Sequence, residues 1–184
     1  MTGRRTKRMH NDTIGTVMIT EEQILAKADE IGKKITEDFA GEEIVMVGIL
    51  RGAVLWMADL MKHVNLDMTI DFMAVSSYGA ATKSSGIVKI NKDLDTDIEG
   101  KSVIIVEDIV DSGVTLNYLT GYFESRGAKN VKICALLDKP EGRRVDLVAD
   151  YVGFVVDDRF IVGYGLDYDQ RYRNLPYITW LESN

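Results

Sequence analysis

The stretch 103–115 constrains the fold of this chain more than any other part of its sequence. It begins with four β-branched residues, 103–106, a run typical of a strand that is buried on both faces inside a parallel sheet. Glu107 and Asp108 follow, then a short polar segment, and then apolar residues at helical spacing. The pattern therefore predicts a buried strand, a polar loop and the beginning of a helix.

The polar loop has the features of a phosphate site. At a helix N-terminus several backbone N–H groups lack intrahelical partners and the helix dipole is positive, so an anion binds there readily. Gly113 allows the backbone to approach closely, and the hydroxyls of Ser112 and Thr115 can donate to phosphate oxygens. We therefore predict that this loop binds a phosphate group.

The acidic pair that precedes the loop needs a different ligand, because carboxylates repel an anion. Glu107 and Asp108 would lie at the carboxyl end of a central strand, where open α/β sheets bind their ligands. A ribose diol, whose hydroxyls donate to carboxylates, and a divalent cation are both compatible with the pair. The alternative is a solvated acidic turn in which Asp111 or Ser112 caps the helix.

Composition indicates the class of protein. The chain has 184 residues, 46% of them hydrophobic, and only two prolines, which predicts one globular domain with a sizeable core. No apolar run approaches the roughly 20 residues that cross a bilayer, so we expect no membrane partner. The formal charge of −7 disfavours a large nucleic-acid surface.

The basic N-terminal segment and the single cysteine bear on location. Residues 1–18 are interpreted as a basic tail, because their arginines and lysines are not followed by the apolar stretch of a signal peptide. Cys134 lies in an apolar run and has no second cysteine to pair with, which favours a buried thiol in a reducing cytoplasm.

Along the chain, predicted strands alternate with predicted helices, which favours a parallel α/β sheet. A capping-box pattern at Thr20–Gln23 begins the first helix. A stretch of small and polar residues that begins at Ser76 is long enough to be a functional loop. The predicted strands cover residues 44–50, 68–75, 87–90, 103–106, 131–137 and 151–156.

Several motifs together carry a resemblance to a known family. The sequence Val-Glu-Asp-Ile-Val-Asp-Ser-Gly-Val-Thr (106–115) resembles the phosphoribosyl-pyrophosphate (PRPP) motif of type I phosphoribosyltransferases. This motif indicates the superfamily, but it does not indicate which nucleobase is the substrate. Further segments are similar to the hypoxanthine–guanine phosphoribosyltransferases, from about residue 19 to the C-terminus. They are Gly-Ile-Leu-Arg-Gly (48–52), Ser-Ser-Tyr (76–78), Leu-Leu-Asp-Lys-Pro (136–140), Arg-Phe-Ile-Val-Gly-Tyr-Gly-Leu-Asp-Tyr (159–168) and Arg-Tyr-Arg-Asn-Leu-Pro-Tyr (171–177).

The resemblance implies a fold and an activity. The fold is α/β, with a mostly parallel central sheet flanked by helices: a core at about 19–138 and a small hood mainly at 139–184. The activity is purine salvage, in which PRPP gives its 5-phosphoribosyl group to N9 of hypoxanthine or guanine. The products are IMP or GMP and pyrophosphate, Mg²⁺ is the cofactor, and a homodimer or homotetramer is expected. Xanthine is left open as a third base.

The resemblance also implies a role for each matched residue in the PRPP half of the site. Glu107 and Asp108 would hold the ribose hydroxyls and contact magnesium. Asp111 would reach the purine N7 as the catalytic acid/base. Asp111 also belongs to the implied PRPP-binding set, in which Ser112, Gly113, Val114 and Thr115 would bind the 5′-phosphate.

The remaining roles concern the base and pyrophosphate. Lys139 would donate to the 6-oxo group, Phe160 would stack on the base, and the Ile161 backbone would bind its edge. Asp167 belongs to the purine-binding set and would bind a second magnesium. The implied pyrophosphate residues are Arg51 and Gly52, through backbone groups, and Arg173, with Ser77 and Tyr78 on a mobile lid near 76–86.

Two alternatives of a different class share features with this chain. A PRPP-sensing regulatory protein of the same fold would need a basic face or an added DNA-binding domain. A receiver-type phosphoacceptor domain also puts acids at strand ends, but it leaves the C-terminal motifs unexplained. One backbone detail is left open as well: relatives can carry a cis peptide at the position of Leu50–Arg51, and an ordinary trans turn is the alternative.

Overall fold

The sheets and helices follow the order that the sequence predicts. A computed structural model of the chain describes residues 13–77 and 88–182. The helices are α1 (Glu21–Asp38), α2 (Val54–Leu60) and α3 (Val114–Ser125), with short 3₁₀ turns at Met61–His63 and Pro140–Gly142. The strands are β1 (Thr13–Ile14), β2 (Ile44–Leu50), β3 (Met68–Ser77), β4 (Val88–Lys92), β5 (Ser102–Val110), β6 (Asn130–Asp138), β7 (Tyr151–Val155), β8 (Ile161–Val162) and β9 (Thr179–Glu182).

Six of the strands form the central sheet, in the order β4-β3-β2-β5-β6-β7. All neighbouring pairs are parallel except β3 and β4, which are antiparallel. The predicted α/β class is confirmed. Because β2, β5 and β6 are adjacent and parallel, their carboxyl ends meet at one edge, where an open sheet binds ligands.

Strand β5 is buried on both faces, as its β-branched run predicts. Ile104 and Val106 belong to the apolar cluster that contains the buried residues of α1 and α2. Val103 and Ile105 belong to the second cluster, which contains the buried residues of α3. Successive strand residues point to opposite faces, so a continuous apolar run is what a strand covered by helices on both sides requires.

Helix α1 begins at the predicted capping box. The backbone N–H of Thr20 donates to Oε1 of Gln23 (2.9 Å), and the N–H of Gln23 donates to Oγ1 of Thr20 (3.3 Å). Two donors that have no intrahelical partner are thereby satisfied. In the part of the chain that the structure describes, no helix is both long and apolar enough to span a membrane.

A second sheet has three strands, and one of them comes from outside the residue range predicted for the hood. It is antiparallel, in the order β1-β9-β8, so the segment assigned to the tail supplies one of its strands. Strand β7 lies in the central sheet, although its residues fall in the predicted hood range. Both placements depend on pairing between distant segments, which a local hydrophobic pattern does not specify.

Candidate active site

A cleft of about 350 Å³ lies at the carboxyl edge of the central sheet. It joins the end of β2, the end of β5, the beginning of α3 and the segment after β8. Ten of the predicted site residues line it: Arg51, Gly52, Glu107, Asp108, Asp111, Ser112, Gly113, Thr115, Asp167 and Arg173. Residues that are up to 122 positions apart (Arg51 and Arg173) therefore share one site.

The loop between β5 and α3 has the geometry of an anion site. Gly113 is the N-cap of α3 and has a φ of +76°, a conformation that residues with a Cβ rarely adopt. The alternative in which Asp111 or Ser112 caps the helix is therefore wrong. The Val114 N–H, at the first helical position, donates to Oγ of Ser112 over a long 3.4 Å. The first turn of α3 thus presents its N-terminal amides at the cleft.

The two carboxylates lie inside β5 rather than after it, because the strand continues to Val110. The side chain of Asp108 packs directly against Gly52: a Cβ added to Gly52 would lie 1.5 Å from Oδ2 of Asp108. Position 52 must therefore be glycine if Asp108 is to point into the cleft. The sequence predicts a contact from the Gly52 backbone alone. The structure shows that this glycine also leaves room for the Asp108 carboxylate. The preceding Leu50–Arg51 peptide bond is cis.

The electrostatics of the acidic pair favour a ligand that brings positive charge or donors. Burial raises the pKa of Glu107 well above its usual range, and the neighbouring charge of Asp108 raises it further. A divalent cation or hydroxyl donors at this position would favour the charged form of Glu107.

The segment after β6 supports the loop from behind, a role that the sequence analysis missed. The Lys139 N–H donates to the carbonyl of Val110 (2.9 Å), and the Arg144 N–H donates to the carbonyl of Ser112 (2.9 Å). A Cβ on Gly142 would lie 1.7 Å from Oδ1 of Asp111. The Asp111 carboxylate is thus held against a backbone that carries no side chain.

The predicted purine-binding residues other than Asp167 lie outside the lining of this cleft. Nζ of Lys139 pairs with Oδ1 of Asp158 at 2.6 Å, and the Lys139 side chain is only 14% exposed. Phe160 is 54% exposed and meets Tyr168 edge-on, with ring centroids 5.5 Å apart. Ile161 is buried in β8. Asp158 and Tyr168 were not predicted, although both lie in or beside the quoted 159–168 motif.

The segment after β8 approaches β2 closely. Gly165 has a φ of +100°, and a Cβ there would lie 2.0 Å from the carbonyl oxygen of Gly52. Arg173 pairs with Oδ1 of Asp167 at 2.7 Å and donates to the carbonyl of Gly165 at 2.7 Å. Tyr164 fixes the same segment to α2, because its hydroxyl donates to Asp59.

The predicted lid lies largely outside the residues that the structure describes, whereas the predicted metal ligands lie within them. Ser77 ends β3, but its side chain and all of Tyr78 lie outside the described residues, as does most of the predicted lid at 76–86. In residues 13–77 and 88–182, no three His, Cys, Asp or Glu side chains are grouped closely enough to hold a metal ion.

Comparison with known proteins identifies the family. A phosphoribosyl transferase domain model matches residues 16–169. A hypoxanthine-guanine phosphoribosyltransferase of Bacillus subtilis (strain 168) is 54% identical over 174 residues, which cover 95% of this chain and 97% of that relative.

Solved structures agree with the sequence comparison. A hypoxanthine phosphoribosyltransferase from Staphylococcus aureus gives a TM-score of 0.92 at 46% identity, covering 98% of this chain and 100% of that one. A hypoxanthine-guanine phosphoribosyltransferase from Bacillus anthracis, with a HEPES molecule in its active site, gives 0.88 at 50% identity, covering 91% and 99%. These relatives give no support to a regulatory protein of the same fold. The chain belongs to the phosphoribosyltransferase family, and within it to the hypoxanthine–guanine phosphoribosyltransferases.

Proposed function

We propose that this chain catalyses purine salvage by transferring the 5-phosphoribosyl group of PRPP to N9 of hypoxanthine or guanine, with release of pyrophosphate. The observation that carries the proposal is the position of Asp111. It begins the anion loop, packs against Gly142, and lies one residue after Val110, whose carbonyl accepts the N–H of Lys139. The residue proposed as the acid therefore adjoins the loop proposed for the phosphate, and the backbone of Lys139 is fixed to the residue before it.

The ribose is assigned to the acidic pair and the phosphate to the loop. Glu107 and Asp108 would accept hydrogen bonds from the 2′ and 3′ hydroxyls, while Ser112, Gly113, Val114 and Thr115 would bind the 5′-phosphate. Bond breaking at C1′ gives the sugar the character of an oxocarbenium ion. Two carboxylates close to it would stabilise positive charge more in the transition state than in the ground state.

Asp111 would exchange the proton at N7 of the purine. This role is supported by the position of Asp111 in the lining of the cleft, next to the loop assigned to the phosphate. General acid/base assistance of this kind contributes roughly 10²–10⁴-fold to the rate.

Recognition of the base is assigned to the segment after β6 and to β8. The Lys139 ammonium would donate to O6, which an adenine amino group could not accept. Asp158 holds that ammonium at 2.6 Å and would orient it. The exposed ring of Phe160, braced edge-on by Tyr168, offers a face for stacking, and the Ile161 backbone would bind the purine edge.

The pyrophosphate end is assigned to Arg51, Gly52 and Arg173, with Ser77 and Tyr78 as further contacts from the lid. When bound, Mg²⁺ would neutralise charge on the leaving group. The oxygens of Glu107, Asp108 and Asp167 suit this ion, which prefers oxygen ligands and takes several from phosphate and water. The described residues provide no complete cluster of protein ligands, so substrate oxygens would supply the rest.

Location and assembly remain predictions. The buried, unpaired Cys134 supports a reducing cytoplasm, and burial raises the pKa of its thiol to about 12, which makes it unreactive. A homodimer or homotetramer is expected from the family resemblance.

The assay that tests the proposal is pyrophosphate release from PRPP with hypoxanthine and Mg²⁺, with adenine in place of hypoxanthine as the control. We expect release with hypoxanthine and guanine, and almost none with adenine. Equal release with adenine, or none with any 6-oxopurine, would contradict the proposal. Steady-state kinetics on hypoxanthine, guanine and xanthine would then give the order of preference.

A further inference from the structure

The segment 167–173 contains a glutamine that contacts both arginines of the proposed pyrophosphate end. Oε1 of Gln170 accepts a hydrogen bond from Nη1 of Arg51 (2.8 Å) and another from Nη2 of Arg173 (3.2 Å). Arg51 follows β2 and Arg173 lies more than a hundred residues later in the chain. One side-chain oxygen thus joins the two cations across the mouth of the cleft.

These contacts help to orient the two guanidinium groups, together with the pair between Arg173 and Asp167 and the bond from Arg173 to the carbonyl of Gly165. Two like charges repel, and long exposed side chains lose conformational entropy when they are held in one arrangement. A shared acceptor offsets part of both effects. Nε of Arg173 is buried without a hydrogen-bond partner in the described part of the chain, so this guanidinium keeps a donor that the protein does not satisfy.

The backbone at Gln170 is held in place as well. Its N–H donates to Oδ2 of Asp167 (2.8 Å), while Oδ1 of the same carboxylate pairs with Arg173 (2.7 Å). Gln170 has a φ of +63°, and Asp169 before it has a φ of +52°. The left-handed region is unfavourable for residues with a Cβ and is found where the surrounding structure enforces it, often at ligand sites.

We propose that Gln170 is a positioning residue for pyrophosphate: it holds Arg51 and Arg173 together so that both guanidinium groups face the same anion. The inference rests on the proposed function and deepens it. Gln170 itself carries no charge, so it orients the cations without neutralising them. The free protein therefore already has the arrangement that a diphosphate needs, and binding does not have to impose that arrangement.

The test is to measure the affinity of the full-length chain for pyrophosphate by calorimetry in the presence of Mg²⁺. Gln170→Met keeps the length of the side chain and removes the acceptor. We expect its Kd for pyrophosphate to rise by about tenfold, because both guanidinium groups lose the acceptor that they share. The KM for PRPP should rise in parallel, while the Kd for IMP, which has no pyrophosphate, should stay within twofold.

The matched control is Asp169→Asn, one residue earlier in the same turn. Asparagine tolerates positive φ, and the change removes only the charge of Asp169 in its pair with Arg171. The control should leave both affinities unchanged. A Gln170→Met protein that binds pyrophosphate like the wild type, or that loses pyrophosphate and IMP affinity equally, would overturn the inference. If the wild-type protein forms IMP and Gln170→Met binds pyrophosphate as tightly as the wild type, only the role of Gln170 is overturned. If the wild-type protein neither forms IMP nor binds pyrophosphate, the proposed function is overturned as well.

Discussion

Asp111 is the residue on which the proposed chemistry depends. Asp111→Asn keeps the size of the side chain and removes its ability to exchange a proton. We expect kcat to fall by roughly 10²–10⁴-fold while the KM for PRPP changes little, because ribose and phosphate contacts come from neighbouring residues. Asp146→Asn, at an exposed position after the supporting segment, is the control. Near-normal kcat in the Asp111 variant would remove its acid/base role.

Substitution of Gly142 is a second test of Asp111: it changes the position of the carboxylate and leaves the carboxylate itself in place. A Cβ at this position would lie 1.7 Å from Oδ1 of Asp111, so Gly142→Ala must displace the carboxylate or the turn behind it. We expect kcat to fall at least tenfold, since misplacement of about 1 Å can reduce a rate about 10²-fold. The control is Gly121→Ala, because nothing lies within 4 Å of a Cβ added there. Unchanged kcat in Gly142→Ala would show that Asp111 tolerates displacement.

Lys139 tests recognition of the base. Its Nζ is held by Asp158 at 2.6 Å and is free to donate further protons to a carbonyl oxygen. Lys139→Ala should lower kcat/KM for hypoxanthine far more than it changes the KM for PRPP. Lys132→Ala, which removes a lysine of β6 that is paired with Asp150, is the control. Equal losses for both substrates would indicate general damage to the fold.

At the scale of elements, Asp71 links β3 to the turn before β5. It is only 7% exposed, and its Oδ2 accepts the N–H groups of Asp95 and Thr96, each at 2.8 Å. Burial raises the pKa of Asp71, but hydrogen bonds from Thr96, Phe72 and Asp95 outweigh burial and leave the pKa below its usual value.

A lowered pKa has a definite consequence for stability. The contribution of Asp71 is complete above the unfolded pKa of about 3.9 and is lost as pH falls through the lower folded pKa. Asp71→Asn should therefore reduce the free energy of unfolding by about 1–3 kcal/mol at pH 7, and the difference from wild type should shrink below pH 4. Urea unfolding at both pH values measures this, with exposed Asp97→Asn as control. A difference that grows in acid would reverse the assigned sign.

Elements whose signals are local could be predicted from the sequence. Strand β5 has an unbroken β-branched run, α1 has a capping box, and the turn between β5 and α3 contains a glycine with positive φ. Strands β8 and β9 were missed, and β1 was assigned to the tail. These strands are short, and β1 pairs with β9 across almost the whole length of the chain, as Ile14 does with Leu181.

At the scale of the whole molecule, the sequence identified most of the residues lining the cleft but not the contacts that hold them. Gly52 was predicted as a backbone contact, yet the space for its absent Cβ is filled by Asp108. Gln170 and Gly142 carried no signal because their partners, Arg51 and Asp111, are distant in sequence. The family motifs indicate the residues that would contact substrate. The residues that support these, such as Gly142 and Gln170, are determined by packing between distant segments.

The measurement that tests the central claim most directly is a crystal structure of this chain with IMP. The account predicts the 5′-phosphate on the loop from Ser112 to Thr115, the ribose hydroxyls on Glu107 and Asp108, and N7 of the base within hydrogen-bond distance of Asp111. The base should stack on Phe160 with O6 facing Lys139. A phosphate bound elsewhere, or a base turned away from Lys139 and Asp111, would contradict it.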